Sequence, residues 1–399
     1  MPGRIVEERK RLEASVRELC HIRRESASDG ERESAQWIAA QLADMGLSAR
    51  IEPERATGGY WQPLGLLAAV TIAAGIAALR ERRALATAAG GLAAAAIYDD
   101  LDLHRRVVRA ALARRKTHNV ICEIGDRSAP RTVVLTAHHD APHSGLIFHP
   151  KPTELLIRYA PGLVSRAESD PPIWMPVIAA PLGVALGAAA GWQALVRVGT
   201  GLAALVAATL ADIARRDPVP GAIDNASGVA TLIELAGRLS SRPPKSLRVL
   251  LVWTGAEEAL WEGMEAFARR HFPSLPQERT FILNVDQVGD PRVCVLRGEG
   301  ALRVRDYPAN AVQLVEDVAR ELGLDLISGL RSRSGSDGQY ALKAGYQTAF
   351  LGSVTEHKAQ TAYHWPTDVP EAVTWTAVEG AVDICELVLR RLDRTWLNP

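Results

Sequence analysis

Residues 61–79, WQPLGLLAAVTIAAGIAAL, carry no charged side chain, and a helix that is apolar all round has to be packed among other helices or placed in lipid. The tip RERR follows at 80–83, and ALATAAGGLAAAAIY at 84–98 is again uncharged. This pattern predicts a helical hairpin. IWMPVIAAPLGVALGAAAGW (173–192) and QALVRVGTGLAALVAATLADI (193–213) predict a second one, with Arg197 inside its later arm. An arm of about 19 residues at a rise of about 1.5 Å reaches about 28 Å, close to the roughly 30 Å of bilayer hydrocarbon. Tyr60, Trp61, Tyr98, Trp174 and Trp192 stand at arm ends, where an aromatic belt would put them. An Ala/Gly-rich helical subdomain or an oligomer interface would share this composition, because alanine is barely favourable in lipid and the 84–98 arm is short. Membrane insertion through 61–98 and 173–213 is the expectation carried forward.

Around the hairpins the pattern is that of an α/β protein. Residues 4–46 read as two charged helices broken near Ser26–Gly30, and LSARIEPE as an edge strand. Strands are predicted at 119–124, 132–137, 247–253, 280–286 and 348–353, and helices at 226–239, 308–322, 337–344 and 376–391. Such alternation implies a mixed, largely parallel central sheet flanked by helices, interrupted by the two hairpins. The expected division is peptide-chain segments 1–59, 99–170 and 215–399 in one domain, with hairpins at 60–98 and 171–214. Basic and acidic residues number 46 each, so no net charge points to nucleic acid. Cys20, Cys122, Cys294 and Cys385 lie far apart and form no CxxC pair, which predicts buried thiols. The charged start, MPGRIVEERKRLEASVREL, does not read as a secretory signal.

Five short features fall where apolar strands end or helices begin, the edge at which α/β sheets bind ligands. TAHHDAPHSG carries His138 and Asp140, two apart, a spacing that suits a metal ligand and the carboxylate that orients it. Asp224 and Asn225 in GAIDNASG precede a helix, for which N-capping is the ordinary explanation. Glu257 and Glu258 in TGAEEALWEG follow a buried strand, so their desolvation calls for a cation, and one can bind metal while the other takes a proton from water. Asp286 ends TFILNVD, and TAYHWPTD carries Tyr363, His364 and Asp368. Each alone has a structural explanation. Together they supply the five donors that two zinc ions sharing a carboxylate would use.

In this order, H-x-D, D-N-A-S-G, A-E-E, N-x-D and Y-H resemble the bacterial leucyl aminopeptidase and glutamate carboxypeptidase family of di-zinc exopeptidases, of peptidase clan MH. RESASDGERESAQWIAAQLADMGL is similar to that family's leading helices and SGSDGQYALKAGYQTAFL to its late helix and strand. The hairpins have no counterpart. The resemblance implies that His138 binds one zinc with Asp140 orienting it, that Asp224 bridges two ions, that Glu258 and Asp286 ligate one each, and that His364 pairs with Glu258. It also implies that Glu257 is the general base and that Tyr363 donates to the oxyanion. The expected activity is exopeptidase cleavage of a peptide substrate, aminopeptidase rather than carboxypeptidase. A single-zinc glutaminyl cyclase or a non-catalytic binding relative are the rival readings.

Three departures matter. The segment between His138 and Asp224, short in the family, here holds HSGLIFHPKPTELLIRYAPGLVSRAESD and the whole second hairpin; His143 and His149 fall in this insertion and outside the expected site. Gly338 follows Ser336–Asp337 where the family has histidine. Arg331 and Arg333 precede that segment and would suit a substrate carboxylate. If both hairpins insert, the catalytic pieces share one side of the membrane. Arg105, Arg106, Arg109, Arg114, Arg115, Lys116, Arg215 and Arg216 on that side, against Arg80, Arg82, Arg83 and Arg197 at the tips, predict a multi-pass membrane protein with its catalytic domain in the cytoplasm. LDLHRRVVRAALARRK (101–116) reads as a basic amphipathic helix on an anionic surface.

Overall fold

In a computed structural model, which describes residues 2–103 and 105–396, eight strands form one mixed sheet. They are β1 (Ala49–Ala56), β2 (Arg115–Gly125), β3 (Thr132–His138), β4 (Arg248–Thr254), β5 (Thr280–Val285), β6 (Arg292–Val295), β7 (Leu326–Ser328) and β8 (Gln347–Val354). The spatial order is β1-β2-β4-β3-β5-β8-β6-β7. The centre, β4, β3, β5 and β8, is parallel, while β2 runs antiparallel to β1 and β4, and β6 antiparallel to β8. Every residue of β3 and β5 is buried, which is why these strands read as continuous apolar runs rather than alternating ones.

One face of the sheet packs on the helices Pro2–His21, Asp29–Asp44, Ser227–Ser241 and Trp375–Arg394, through residues such as Leu19, Ile38, Leu235 and Val388. The other face packs on the helix Glu262–His271 and on the feet of the hairpins: Leu64, Leu67, Val206 and Leu210 share a hydrophobic cluster with Val134, Leu250 and Ile282. The hairpin helices, Trp61–Leu79 with Arg83–Tyr98 and Met175–Ala190 with Gln193–Arg215, form a four-helix bundle on that face. Small residues let the backbones meet: a Cβ on Gly199 would stand 2.8 Å from the Ala180 carbonyl oxygen. Two of these helices, Trp61–Leu79 and Gln193–Arg215, are long and apolar enough to cross a membrane, and Met175–Ala190 is a shorter apolar helix. Leu66, Leu92, Leu186, Val198 and Leu205 project outward from the bundle.

The predicted basic helix at 101–116 is not there. Two short pieces stand in its place, the π-helical turn Asp99–Leu103 and the helix Val107–Leu112; residues 115 and 116 belong to β2, and His104 lies outside the described residues. Arg106 and Arg109 are buried. Arg109 donates to Asp100 (2.8 Å) and stands 3.2 Å from Glu262, and Arg106 stands 3.1 Å from Glu265. These charges answer carboxylates rather than a surface. The exposed amphipathic helix is Lys151–Tyr159, with Leu155, Leu156 and Tyr159 open to solvent. The helix Glu262–His271, strands β6 and β7, and a small sheet of 298–299, 305–306 and 331–332 were also unforeseen. Of the cysteines, Cys122, Cys294 and Cys385 are buried and Cys20 half-buried, all free.

Candidate metal centre

Strands β4, β3 and β5 are neighbours and parallel, so their carboxyl ends deliver Glu257–Glu258, His138 and Asp286 to one edge of the sheet. Asp224 enters from the turn 222–226 ahead of the helix Ser227–Ser241, and His364 from the loop after β8. The Asp224–Asn225 peptide is cis. Ala256, Leu260, Trp261, Gln287 and His364 take left-handed backbone conformations, a clustering of strained residues usual at functional sites.

His138 Nε2 stands 3.1 Å from Asp224 Oδ1 and 3.4 Å from Asp286 Oδ1, and His364 Nε2 stands 3.4 Å from Asp224 Oδ2 and 3.3 Å from Glu258 Oε2. Two triads result, His138/Asp224/Asp286 and Asp224/Glu258/His364, each with its ligand atoms within 4.8 Å of one another. Donors held at about 2.0–2.1 Å by a tetrahedral zinc stand about 3.3 Å apart, which matches these spacings. Asp224 Oδ1 and Asp286 Oδ1 are buried and accept no hydrogen bond, as oxygens left for a cation would be. His138, Glu257 and Glu258 also meet within 4.8 Å. The two triads that share Asp224 use each imidazole once and leave Glu257 free.

The electrostatics agree. Burial drives the Glu257 and Glu258 carboxyls well above the usual range, and Asp224 adds to the effect on Glu258. Burial also raises Asp286. Burial opposes the charge on His138, but Asp286, Asp140 and Asp224 outweigh it and hold its pKa well up. So many carboxylates with two imidazoles are a poorly compensated negative pocket, which divalent cations would neutralise.

Asp140 does more than orient His138, whose Nδ1 lies 3.5 Å from its carboxylate. Its two oxygens accept the backbone N–H of Glu257 and of Glu258, at 3.1 Å each, and the Ser26 hydroxyl at 2.6 Å. Asp368 accepts the N–H groups of Ile223 (2.7 Å) and Asp224 (3.1 Å), so it holds the shared ligand's turn. Gln287 donates to Asp224 Oδ2 at 2.9 Å. Glu31, fully buried, accepts from Ala27, Thr117, His118 and Ala256, the last being the residue before Glu257. Sequence reasoning passed over Glu31, although Ser28-Asp-Gly-Glu31 is a capping-box spacing and Ser28 does accept the Glu31 N–H.

Asp224, Glu257, Glu258, Asp286, Tyr363 and His364 line an open cavity. His138 and Asp140 are buried behind them. The Tyr363 ring stacks on His364, centroids 3.9 Å apart. His139 is bound instead to Ser34 and the His118 carbonyl, and His143 to the Arg216 carbonyl. Arg331 pairs with Asp306, and neither Arg331 nor Arg333 is among the described residues lining the cavity. Where histidine was expected, Gly338 bonds to Ser336 and the neighbouring Asp337 accepts from the Thr254 hydroxyl.

Residues 206–388 match Peptidase family M28, a span that contains Asp224, Glu257, Glu258, Asp286 and His364 but not His138. No curated protein matches in sequence. Among solved structures, the fold is similar to a Zn-dependent exopeptidase from Parabacteroides distasonis (13% identity, TM-score 0.56, covering 96% of this chain and 98% of that one). It is also similar to a leucine aminopeptidase precursor from Bacteroides thetaiotaomicron (13%, 0.57, 98% and 97%) and to a glutaminyl cyclase from Tannerella forsythia (14%, 0.55, 96% and 97%). The later part of the chain, residues 206–388, thus matches Peptidase family M28, and the whole chain shares its fold with these zinc-dependent exopeptidase, aminopeptidase and glutaminyl cyclase structures.

Proposed function

We propose that the chain is a membrane-associated di-zinc exopeptidase of aminopeptidase type. The observation that carries this reading is the pair of donor triads sharing Asp224. Zinc, when bound, polarises the scissile carbonyl and stabilises the anion that forms on it. Glu257 takes a proton from the attacking water at its carboxylate and passes it to the leaving nitrogen, as the one cavity carboxylate outside the two triads that share Asp224 can do. Asp140 fixes the backbone of both glutamates, and Tyr363 donates its hydroxyl to the oxyanion while its ring holds His364 in place.

Amine rather than carboxylate recognition is supported by the cavity lining, in which no lysine or arginine appears among the described residues. The membrane part of the reading rests on the outward-facing leucines of the bundle and on its two helices of spanning length. The expected side of the catalytic domain is cytoplasmic, from the exposed Arg105, Arg114, Arg115, Lys116 and Arg215 at the domain end.

The test is zinc per chain by elemental analysis, with turnover of aminoacyl and N-terminal-glutamine substrates, on the detergent-purified protein and on Glu257→Gln. Two ions in both proteins, with turnover falling by about 10²–10⁴ in the variant, is the expected result. One ion with pyroglutamate as product would replace this reading with a cyclase.

A further inference from the structure

The catalytic cavity does not end at the sheet. From the carboxylates it runs up between the helix Gln193–Arg215 and the start of the helix Met175–Ala190, where Ile213, Thr209 and Leu205 line it at successive turns of one helix face. Those eight residues correspond to a climb of about 12 Å, and Leu205 stands about 15 Å from Arg215 at the helix foot. In a bilayer with its hydrocarbon beginning near that foot, the upper end of the cavity lies at about half the depth of a roughly 30 Å core.

The upper wall is apolar and open. Leu205 is 63% exposed, Ile147 51% and Ile173 37%, and all three line the cavity. Leu205 thus belongs both to the outer surface of the bundle and to the catalytic cavity. The amphipathic helix Lys151–Tyr159 follows Ile147 and Phe148 directly and carries Leu155, Leu156 and Tyr159 exposed, as a helix lying at a membrane surface would. Polarity is therefore graded along the cavity, with carboxylates at the floor and hydrocarbon at the mouth.

Resting on the aminopeptidase reading above, we infer that the substrate is an amphiphilic amide, an aminoacyl group joined to an apolar, membrane-resident leaving group that enters sideways along the helix Gln193–Arg215. The polar α-amine and the scissile amide are costly toward lipid, and the scissile bond must reach the donors at the floor, so the aminoacyl half takes the floor and the leaving half the mouth. Water adds across the amide: the carbonyl carbon gains the oxygen, the C–N bond breaks, and the proton goes to the nitrogen. The products are a free amino acid and an apolar amine or shortened apolar peptide. The first leaves to water and the second remains in the membrane.

The experiment compares kcat/KM for the full-length protein in detergent across leucyl n-alkylamides from propyl to octyl, and across leucyl peptides with one to three further leucines. A gain of about twofold per methylene, about thirtyfold from propyl to octyl, corresponds to half of full hydrocarbon burial. Gain in the alkyl series indicates a lipid amide, and gain in the peptide series an apolar peptide end; either supports the inference. Leu205→Gln, at an exposed position, is expected to lower the octyl-to-propyl ratio about tenfold. Turnover that ignores chain length, or an unchanged ratio in Leu205→Gln, overturns the inference and leaves the aminopeptidase standing. No turnover of any aminoacyl amide by zinc-loaded protein overturns both.

Discussion

Asp140 lies behind the candidate ligands, yet both of its oxygens are committed to the backbone that presents Glu257 and Glu258. Asp140→Asn keeps the volume but turns one acceptor into a donor that faces an N–H. Zinc affinity, measured by competition with a chromophoric chelator, is expected to fall about 10–100-fold; an unchanged affinity would mean that the loop is fixed by Glu31 alone. Glu299 makes a separate prediction. Burial pushes its carboxyl from the ordinary 4.5 up to about 8, where it accepts from Tyr307 (2.7 Å) and Ser336 (3.1 Å). A folded pKa above the unfolded one adds stability that is complete below pH 4.5 and lost as pH rises through about 8. In Glu299→Gln the fall in melting temperature of the metal-free protein over that window should flatten, and a parallel curve would deny Glu299 the titration. At this scale the sequence was informative where a side chain leaves a strand end, as with His138, Glu257, Glu258 and Asp286. It was silent on Glu31, though the Ser28–Glu31 spacing was readable, and it singled out Asp368 without its role, because the partners of both are groups from distant segments.

Among the elements, the stretch after the first hairpin departs furthest from expectation. Its arginines have helical spacing, but Arg109 lies 3% exposed between Asp100 and Glu262, and Glu262 in turn binds the Thr57 and Gly58 N–H groups at the foot of the hairpin. Charge pattern alone does not reveal whether a basic residue faces lipid headgroups or a buried carboxylate from 150 residues away. Arg109→Met strands two buried carboxylates and should cost about 3–5 kcal/mol, read from thermal unfolding; a loss under about 1 kcal/mol would show the pair to be hydrated. Within the bundle, Gly199→Leu sets a side chain against the Ala180 carbonyl and should separate the second hairpin's helices. The expected reading is a lower melting temperature for the variant than for the parent protein; an unchanged value would show that the helices absorb the side chain. The hairpins themselves were legible, because absence of charge over a whole arm needs no tertiary knowledge, whereas the short strands Arg292–Val295 and Leu326–Ser328 carry too few residues to show a period.

For the whole molecule, the α/β class and the mixed sheet followed from the alternation of apolar runs with helical ones, but the strand order β4-β3-β5 that gathers the ligands is a long-range property. Orientation is decided by charge at the two ends of the bundle. With the tip bearing Arg82 outside and the domain inside, Arg82→Cys in intact cells should react with an impermeant thiol reagent, and Lys245→Cys only after permeabilisation; the reverse pattern would put catalysis outside. The site is also divided along the chain. Strand β1 precedes the first hairpin and pairs along its length with β2, which follows it, His138 comes between the two hairpins, and Asp224 and the remaining ligands come after the second. During synthesis Asp224 emerges only when all four bundle helices are already made, so the chain has no complete candidate metal centre until the bundle is built. A ribosome-bound or prematurely truncated product therefore lacks Asp224, the donor common to both triads, and the complete donor set arises only in a chain whose bundle is already made.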